Sequence, residues 1–211
     1  MSALPHPQLR AVLEPAYRPC AGFGTCAEAV WRPEAGHVPR GFLGATGRLD
    51  EVRAVLVFAE PGGVYPDDFY DPGQRPEQFL AQAVAETGRI IAAGTDLFHR
   101  NIRSFLDMIL PGQSLPDQLR QVWLTEGRLC SVAQEIGGRR DRRCSELYLR
   151  AQIALMPQAV VIAFGGKAQA YLAALKLEHV KAVALSPPGA NHRGARPSWE
   201  AAAAMVRARH G

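Results

Sequence analysis

The 211-residue sequence lacks any apolar run approaching the ~20 residues that cross a bilayer. Its start, MSALPHPQLRAVLEP, also lacks the basic-then-apolar order of a secretory signal. Internal repeats and low-complexity tracts are absent as well, and the 47% hydrophobic content is ordinary for a globular protein. We therefore expect one cytoplasmic domain that does not bind a membrane.

The sequence also lacks a large excess of charge of either sign. Its formal charge is +4, which alone is a weak indication of an anionic partner. The arginines are unevenly distributed, however, with clusters in GGRRDRRC (137–144) and NHRGARPSW (191–199). Such clusters are typical of phosphate contacts, although solvated loops would look the same.

Four short apolar runs predict strands at 54–59, 122–125, 159–164 and 180–185. They do not alternate with polar residues, which is typical of parallel strands buried on both faces. Because helical patterns separate them, residues 51–211 are predicted to form an α/β fold. The expected architecture is a three-layer α/β/α sandwich with a central four-stranded, mainly parallel sheet. Residues 1–50 show no clear period and are predicted to be an irregular N-terminal lead-in.

Cysteine is scarce, but its four copies fall in two loop pairs: Cys20 with Cys26, and Cys130 with Cys144. In a cytoplasmic protein this arrangement favours a metal site over disulfides. Four thiolates suit either an iron–sulfur cluster or zinc. The spacing matches no compact zinc ribbon, so four unrelated reduced cysteines are an equal alternative.

A carboxylate and a flexible turn follow the first predicted strand, in AVLVFAEPGG (54–63). Ligands of open α/β sheets bind just outside the carboxyl ends of strands, so Glu60, Gly62 and Gly63 are candidate site residues. The turn FGGKA (164–168) lacks a Walker pattern, and its glycines are interpreted as close helix–strand packing.

Several segments follow one another in a recognisable order. FAEPGG (58–63) is similar to a Gly-Glu-Ala-Pro-Gly turn, and VWLTEGRLC (122–130) to a strand that ends in Thr-Asn before a cysteine. Residues 144–172 match a cysteine, a helix and a Pro-Lys-Val-Val-Val-Ala-Leu-Gly-like strand, and residues 184–199 a His-Pro-Ser-type turn. Together these motifs resemble the uracil-DNA glycosylase superfamily, particularly its iron–sulfur-containing branches.

The resemblance implies a monofunctional DNA glycosylase of base-excision repair, monomeric and acting on DNA that contains a damaged or deaminated base. It also implies a [4Fe–4S] cluster, with zinc as the alternative, on Cys20, Cys26, Cys130 and Cys144. Glu60 would orient water or stabilise a cationic sugar. The other implied site residues are Gly62 and Gly63 at the base, Phe69 or Tyr70 stacking on it, Glu126 at its edge, Ser186, Asn191 or His192 at the leaving group, and Arg193 and Arg196 on phosphates.

Three departures from the family pattern affect these roles. Glu126 replaces the base-reading Asn, and an ionised carboxylate can only accept hydrogen bonds. The catalytic His aligns with Ser186, and His192 is a possible substitute. The glycine turn is shifted by a residue, which changes the direction expected for the Glu60 side chain. A non-catalytic nucleic-acid-binding relative and an α/β enzyme acting on free nucleotides are the competing functions. The competing structural roles are a helix cap for Glu60, core packing for Phe69 and Tyr70, and a solvated loop for His192.

Overall fold

A computed structural model describes residues 3–20, 22–26, 28–65, 67–131 and 143–211. The strands are β1 (Leu43–Gly44), β2 (Ala54–Phe58), β3 (Val122–Glu126), β4 (Val160–Phe164) and β5 (Val180–Ala182). The helices are α1 (Pro7–Leu13), α2 (Pro76–Ala93), α3 (Leu97–Ile109), α4 (Leu115–Gln121), α5 (Arg150–Ala154), α6 (Gly165–Ala174) and α7 (Ala195–His210). A π-helical turn, Ser145–Leu149, leads directly into α5.

Within the described residues the strands form one sheet in the order β1-β3-β2-β4-β5. The last four in that order pair in parallel, while β1 pairs with β3 in antiparallel. The predicted number of strands was therefore wrong: there are five, because the N-terminal segment supplies β1. A strand of two residues is too short to produce a periodic pattern, so the sequence contains no signal for it.

The sheet is the middle layer of a three-layer α/β/α fold, as predicted. Every residue of β2 and β3 is buried, which requires cover on both faces. Helix α3 packs against α2 and α7, and α6 packs against β2, β4 and β5. Across the described residues, none of the helices combines the length and apolarity needed to span a membrane.

The described part of residues 1–50 packs into the same core as the rest of the chain. Leu9 and Leu13 of α1 are fully buried. Tyr17 stacks on Phe79 of α2 with ring centroids 5.9 Å apart, and its hydroxyl donates to the Pro39 carbonyl at 2.8 Å. The N-terminal segment is therefore joined to residues 51–211 by apolar contacts as well as by β1.

Candidate active site

The carboxyl ends of three neighbouring parallel strands bring charged residues together. Phe58 of β2 pairs with Glu126 of β3, so Glu60 emerges beside the end of β3. Two further hydrogen bonds extend this pairing, from Gly127 N to Phe58 O at 2.9 Å and from Arg128 N to Ala59 O at 3.1 Å. We call this end of the sheet, with the turns that leave it, the carboxyl edge.

Glu60 is held by a lysine that the sequence analysis did not select. Lys167 Nζ lies 2.7 Å from Glu60 Oε1, and the side chains are only 21% and 11% exposed. The glycines before Lys167 are interpreted above as close helix–strand packing. The same turn also places the Lys167 ammonium group beside the end of β2. The contact of Glu60 with a side chain, rather than a helix amide, does not fit the helix-cap alternative.

Helix α6 contributes a second residue to this edge, one turn beyond Lys167. The ring of Tyr171 packs so closely on Gly127 that a Cβ there would lie 2.3 Å from ring atom Cδ2. Burial, followed by the Glu60 charge, raises the pKa of Tyr171 to about 12. Tyr171 is therefore a neutral wall of the site at ordinary pH.

Glu126 lies at the same edge and is almost fully buried, with 4% exposure. Burial raises the pKa of its carboxyl group well above the usual value, and the Glu60 charge raises it further, while Arg40 lowers it. Its Oε2 atom is buried and has no hydrogen-bond partner within the described part of the chain. Two carboxyl groups thus share one edge in different environments, one ion-paired and one enclosed.

The glycine turn after β2 is open on its outer side. Gly62 and Gly63 are exposed, and a Cβ on either would meet no atom within 4 Å. Arg40 anchors the turn to the N-terminal segment, because its guanidinium donates to the carbonyls of Gly62 and Gly36, each at 2.6 Å. The sequence analysis also overlooked Arg40, whose position depends on long-range packing. The turn leaves room for a ligand beside Glu60.

The two aromatic candidates on the following loop differ in environment. Phe69 is exposed, so its ring is available for stacking. Tyr70 is buried beside Phe79, and its hydroxyl donates to Glu86 Oε2 at 2.8 Å. The structure thus gives Tyr70 the core-packing role and corrects its assignment as a stacking surface. Phe69 is the stacking candidate.

Four of the remaining candidates, Ser186, Asn191, His192 and Arg193, are exposed in the segment that joins β5 to α7, and Arg196 is exposed in the first turn of α7. His192 Nδ1 accepts a hydrogen bond from Gly194 N at 3.0 Å, so a neutral ring carries its proton on Nε2 and can donate from there. Arg196 pairs with Glu200 on α7 at 3.1 Å. Both side chains are exposed, and such pairs exchange readily for other anions.

The four cysteines line one small cavity, together with Gly22, Phe23 and Arg143. Cys130 and Cys144 are buried, and burial is the largest cause that raises the pKa of the Cys144 thiol to about 12. Leu129 N donates to Cys144 Sγ at 3.3 Å, and Tyr148 hydrogen-bonds with Cys20. Most of the arginine cluster at 137–144 lies outside the described residues; only Arg143 and Cys144 are within them.

The donor chemistry of this cavity suits a metal, but its geometry is not that of a bound ion. No three His, Cys, Asp or Glu side chains of the described residues are arranged to hold a single metal ion. In a zinc site, Zn–S bonds of about 2.3 Å would draw tetrahedral sulfurs to within about 4 Å of one another. The four thiols nevertheless line one cavity, so they are the donors available to a metal there.

No model of a known protein family and no curated protein sequence matches this chain.

Proposed function

We propose that this protein is a DNA glycosylase that hydrolytically releases uracil or a related deaminated base. The observation that carries the proposal is the ion pair of Glu60 and Lys167 beside the enclosed Glu126, at the carboxyl edge of a parallel sheet. Charged groups with little solvent exposure cost desolvation free energy, and such groups concentrate at functional sites. The motif resemblance gives each group a chemical role.

Glu60 serves the sugar in this proposal. In the reaction, water adds to C1′ of the deoxyribose, the C1′–N bond breaks, and its electron pair leaves with the base. The sugar passes through a cationic state, which a fixed carboxylate stabilises while it orients the water. Lys167 keeps the Glu60 side chain in place. With its nitrogen bound to Glu60, Lys167 is a positioning residue rather than a nucleophile.

The remaining roles belong to exposed groups on the glycine turn, on the loop that follows it, on the segment after β5 and on the first turn of α7. A flipped nucleotide would place its base near Gly62 and Gly63, with Phe69 as the stacking surface. His192 Nε2–H or the Ser186 hydroxyl supplies a proton to the leaving base, and Asn191 lies beside His192 on the same loop. Arg193 and Arg196 contact phosphates on the flanking strand. In this proposal these groups supply the contacts that a base-excising enzyme needs on DNA.

The four-cysteine cavity is the proposed site of a [4Fe–4S] cluster, with zinc as the alternative metal. Cys20, Cys26, Cys130 and Cys144 would hold it, and it would fix the loops that carry them. Iron and zinc analysis of anaerobically purified protein tests this directly. We expect iron together with absorbance near ~400 nm; protein with neither metal would contradict the proposal.

Base release from defined oligonucleotides tests the main proposal. Single- and double-stranded oligonucleotides carrying uracil, hypoxanthine, xanthine or mismatched thymine are incubated with the protein and then cleaved at abasic sites with alkali. We expect cleavage at one or more of the deaminated bases. Binding without release in every case would contradict the proposal and favour a non-catalytic nucleic-acid-binding protein.

A further inference from the structure

Glu126 is the least explained polar group at the carboxyl edge. It ends β3 with only 4% of its surface exposed. Gly41, at φ +86°, lies against the carboxyl group, and a Cβ there would come within 2.7 Å of Oε1. Oε2 is buried, and none of the residues that the structure describes forms a hydrogen bond with it. A carboxyl group is therefore enclosed with unused hydrogen-bonding capacity.

The charge that favours an ionised Glu126 is that of Arg40, and it has a smaller effect on the pKa than burial and the Glu60 charge; Arg128, two residues further along, is buried as well. Glu60, on the turn after β2, is itself an acid, and Lys167 of α6 lies 2.7 Å from Glu60. Arg40, from the N-terminal segment, directs two guanidinium donors to backbone carbonyls. Tyr171 of α6, which packs on the next residue, is uncharged at ordinary pH. Burial and Glu60 raise the pKa of Glu126, and the Arg40 charge opposes them.

An enclosed carboxylate with an unpaired oxygen is unfavourable, whereas the neutral acid lowers that cost. A neutral carboxylic acid has one O–H donor and one free acceptor oxygen. This pair complements an edge on which a carbonyl lies beside an N–H, as in a lactam. Deamination replaces the amino group of cytosine or adenine by a carbonyl and places an N–H beside it, which creates such an edge.

We propose that Glu126 acts as a neutral acid that recognises the lactam edge of the excised base. The proposal rests on the glycosylase function above and defines the edge that is read, a carbonyl next to an N–H, which distinguishes uracil and hypoxanthine from cytosine and adenine. The Glu126 O–H donates to the base carbonyl, and its other oxygen accepts from the N–H. Because Glu126 is enclosed, the segment at Gly41 or the glycine turn must shift to admit the base.

The variant Glu126→Gln separates this role from that of an ionised carboxylate. Glutamine keeps a donor and an acceptor at the same reach but does not titrate. Single-turnover base release is measured for both proteins between about pH 5 and pH 10. The wild-type rate should fall relative to the variant as Glu126 ionises at rising pH. At the acidic end, the two rates should agree within about tenfold. Parallel pH profiles, or a variant that is inactive at every pH although folded, would overturn the proposal.

A second measurement tests the protonation of Glu126 without any substrate. A carboxyl group with a raised folded-state pKa contributes stability that is present at low pH and is lost as pH rises through that pKa. The melting temperature of the wild type should therefore fall relative to that of Glu126→Gln as pH rises, and infrared difference spectra should show a protonated carboxyl band that the variant lacks. Absence of both signals would overturn the neutral-acid proposal. If both signals appear but neither protein releases any base, it is the glycosylase function that fails.

Discussion

The two ends of the central sheet differ in how far their charged side chains are exposed to solvent. At the carboxyl edge, Glu60 and Lys167 pair with little exposure, and Glu126 is enclosed. At the amino ends of β2 and β3, the pair Arg48–Asp50 is 74% and 64% exposed, and Arg120–Glu51 is also open to solvent. A cavity of about 670 Å³ lies at this amino end, lined by residues such as Arg53, Gln121 and His210.

The two ends thus differ in a second respect, because the charged pairs near the large cavity are solvated whereas those at the carboxyl edge are not. Solvated pairs contribute little, typically about 0–1 kcal/mol, and form wherever long charged side chains meet. An ion pair withdrawn from water costs several times more to build, so its retention calls for an explanation. We therefore assign the chemistry to the carboxyl edge, and matched substitutions at the two ends test that assignment.

The largest difference between the two ends should come from neutralising one carboxylate at each. Glu60→Gln should lower the single-turnover rate of base release about 100-fold or more, whichever base is presented, because it removes charge from the sugar site. DNA affinity should change little. Glu51→Gln, at the amino end, is the matched control and should retain the wild-type rate. Equal losses in both variants would remove the distinction between the ends.

Removing the cation of each ion pair should reduce the free energy of unfolding more at the carboxyl edge than at the amino end. Lys167→Met leaves Glu60 with little exposure and without its partner, so the free energy of unfolding should fall by about 2 kcal/mol. Arg120→Met breaks an exposed pair and should change it by less than about 0.5 kcal/mol. Urea denaturation of the three proteins measures both values. Similar changes for the two variants would show that the Glu60–Lys167 pair is no stronger than a surface pair.

The smallest expected effect concerns the arginines beyond β5. Arg193→Ala or Arg196→Ala should weaken DNA binding and reduce the slope of log affinity against log salt by about one unit each. Arg209→Ala, at the far end of α7, is a control that should leave the slope unchanged. If the slopes of both variants equal that of the wild type, these arginines belong to a solvated surface.

The sequence predicted the framework better than the site, for physical reasons. Buried parallel strands need uninterrupted apolar runs, so residues 54–59 and 122–125 closely anticipated β2 and β3. Two-residue β1 exists only because β3 offers it an edge, and no local pattern records that. Glu60 could be predicted as a site residue because it lies on the turn directly after the first predicted strand.

Partners within the site depend on packing between distant segments. Lys167 contacts Glu60 only because β4 lies next to β2 in the sheet. Arg40, which belongs to the N-terminal segment, donates a hydrogen bond to the Gly62 carbonyl. Likewise, Phe69 and Tyr70 are adjacent in sequence, yet one is exposed and the other is in the core. The pattern of a strand followed by Gly-Gly-Lys could have identified Lys167 as a site residue. A lysine at the end of that strand lies at the edge where Glu60 emerges.

The most direct test of the assignment is to locate bound DNA on the protein. Hydrogen–deuterium exchange is measured with and without an oligonucleotide that carries an uncleavable uracil nucleotide. The account predicts slower exchange at residues 59–64 and 186–194, on the carboxyl edge, and no change at residues 113–121, beside the amino-end cavity. Protection confined to residues 113–121 would contradict it, because the DNA would then bind at the end of the sheet where the pairs Arg48–Asp50 and Arg120–Glu51 are open to solvent.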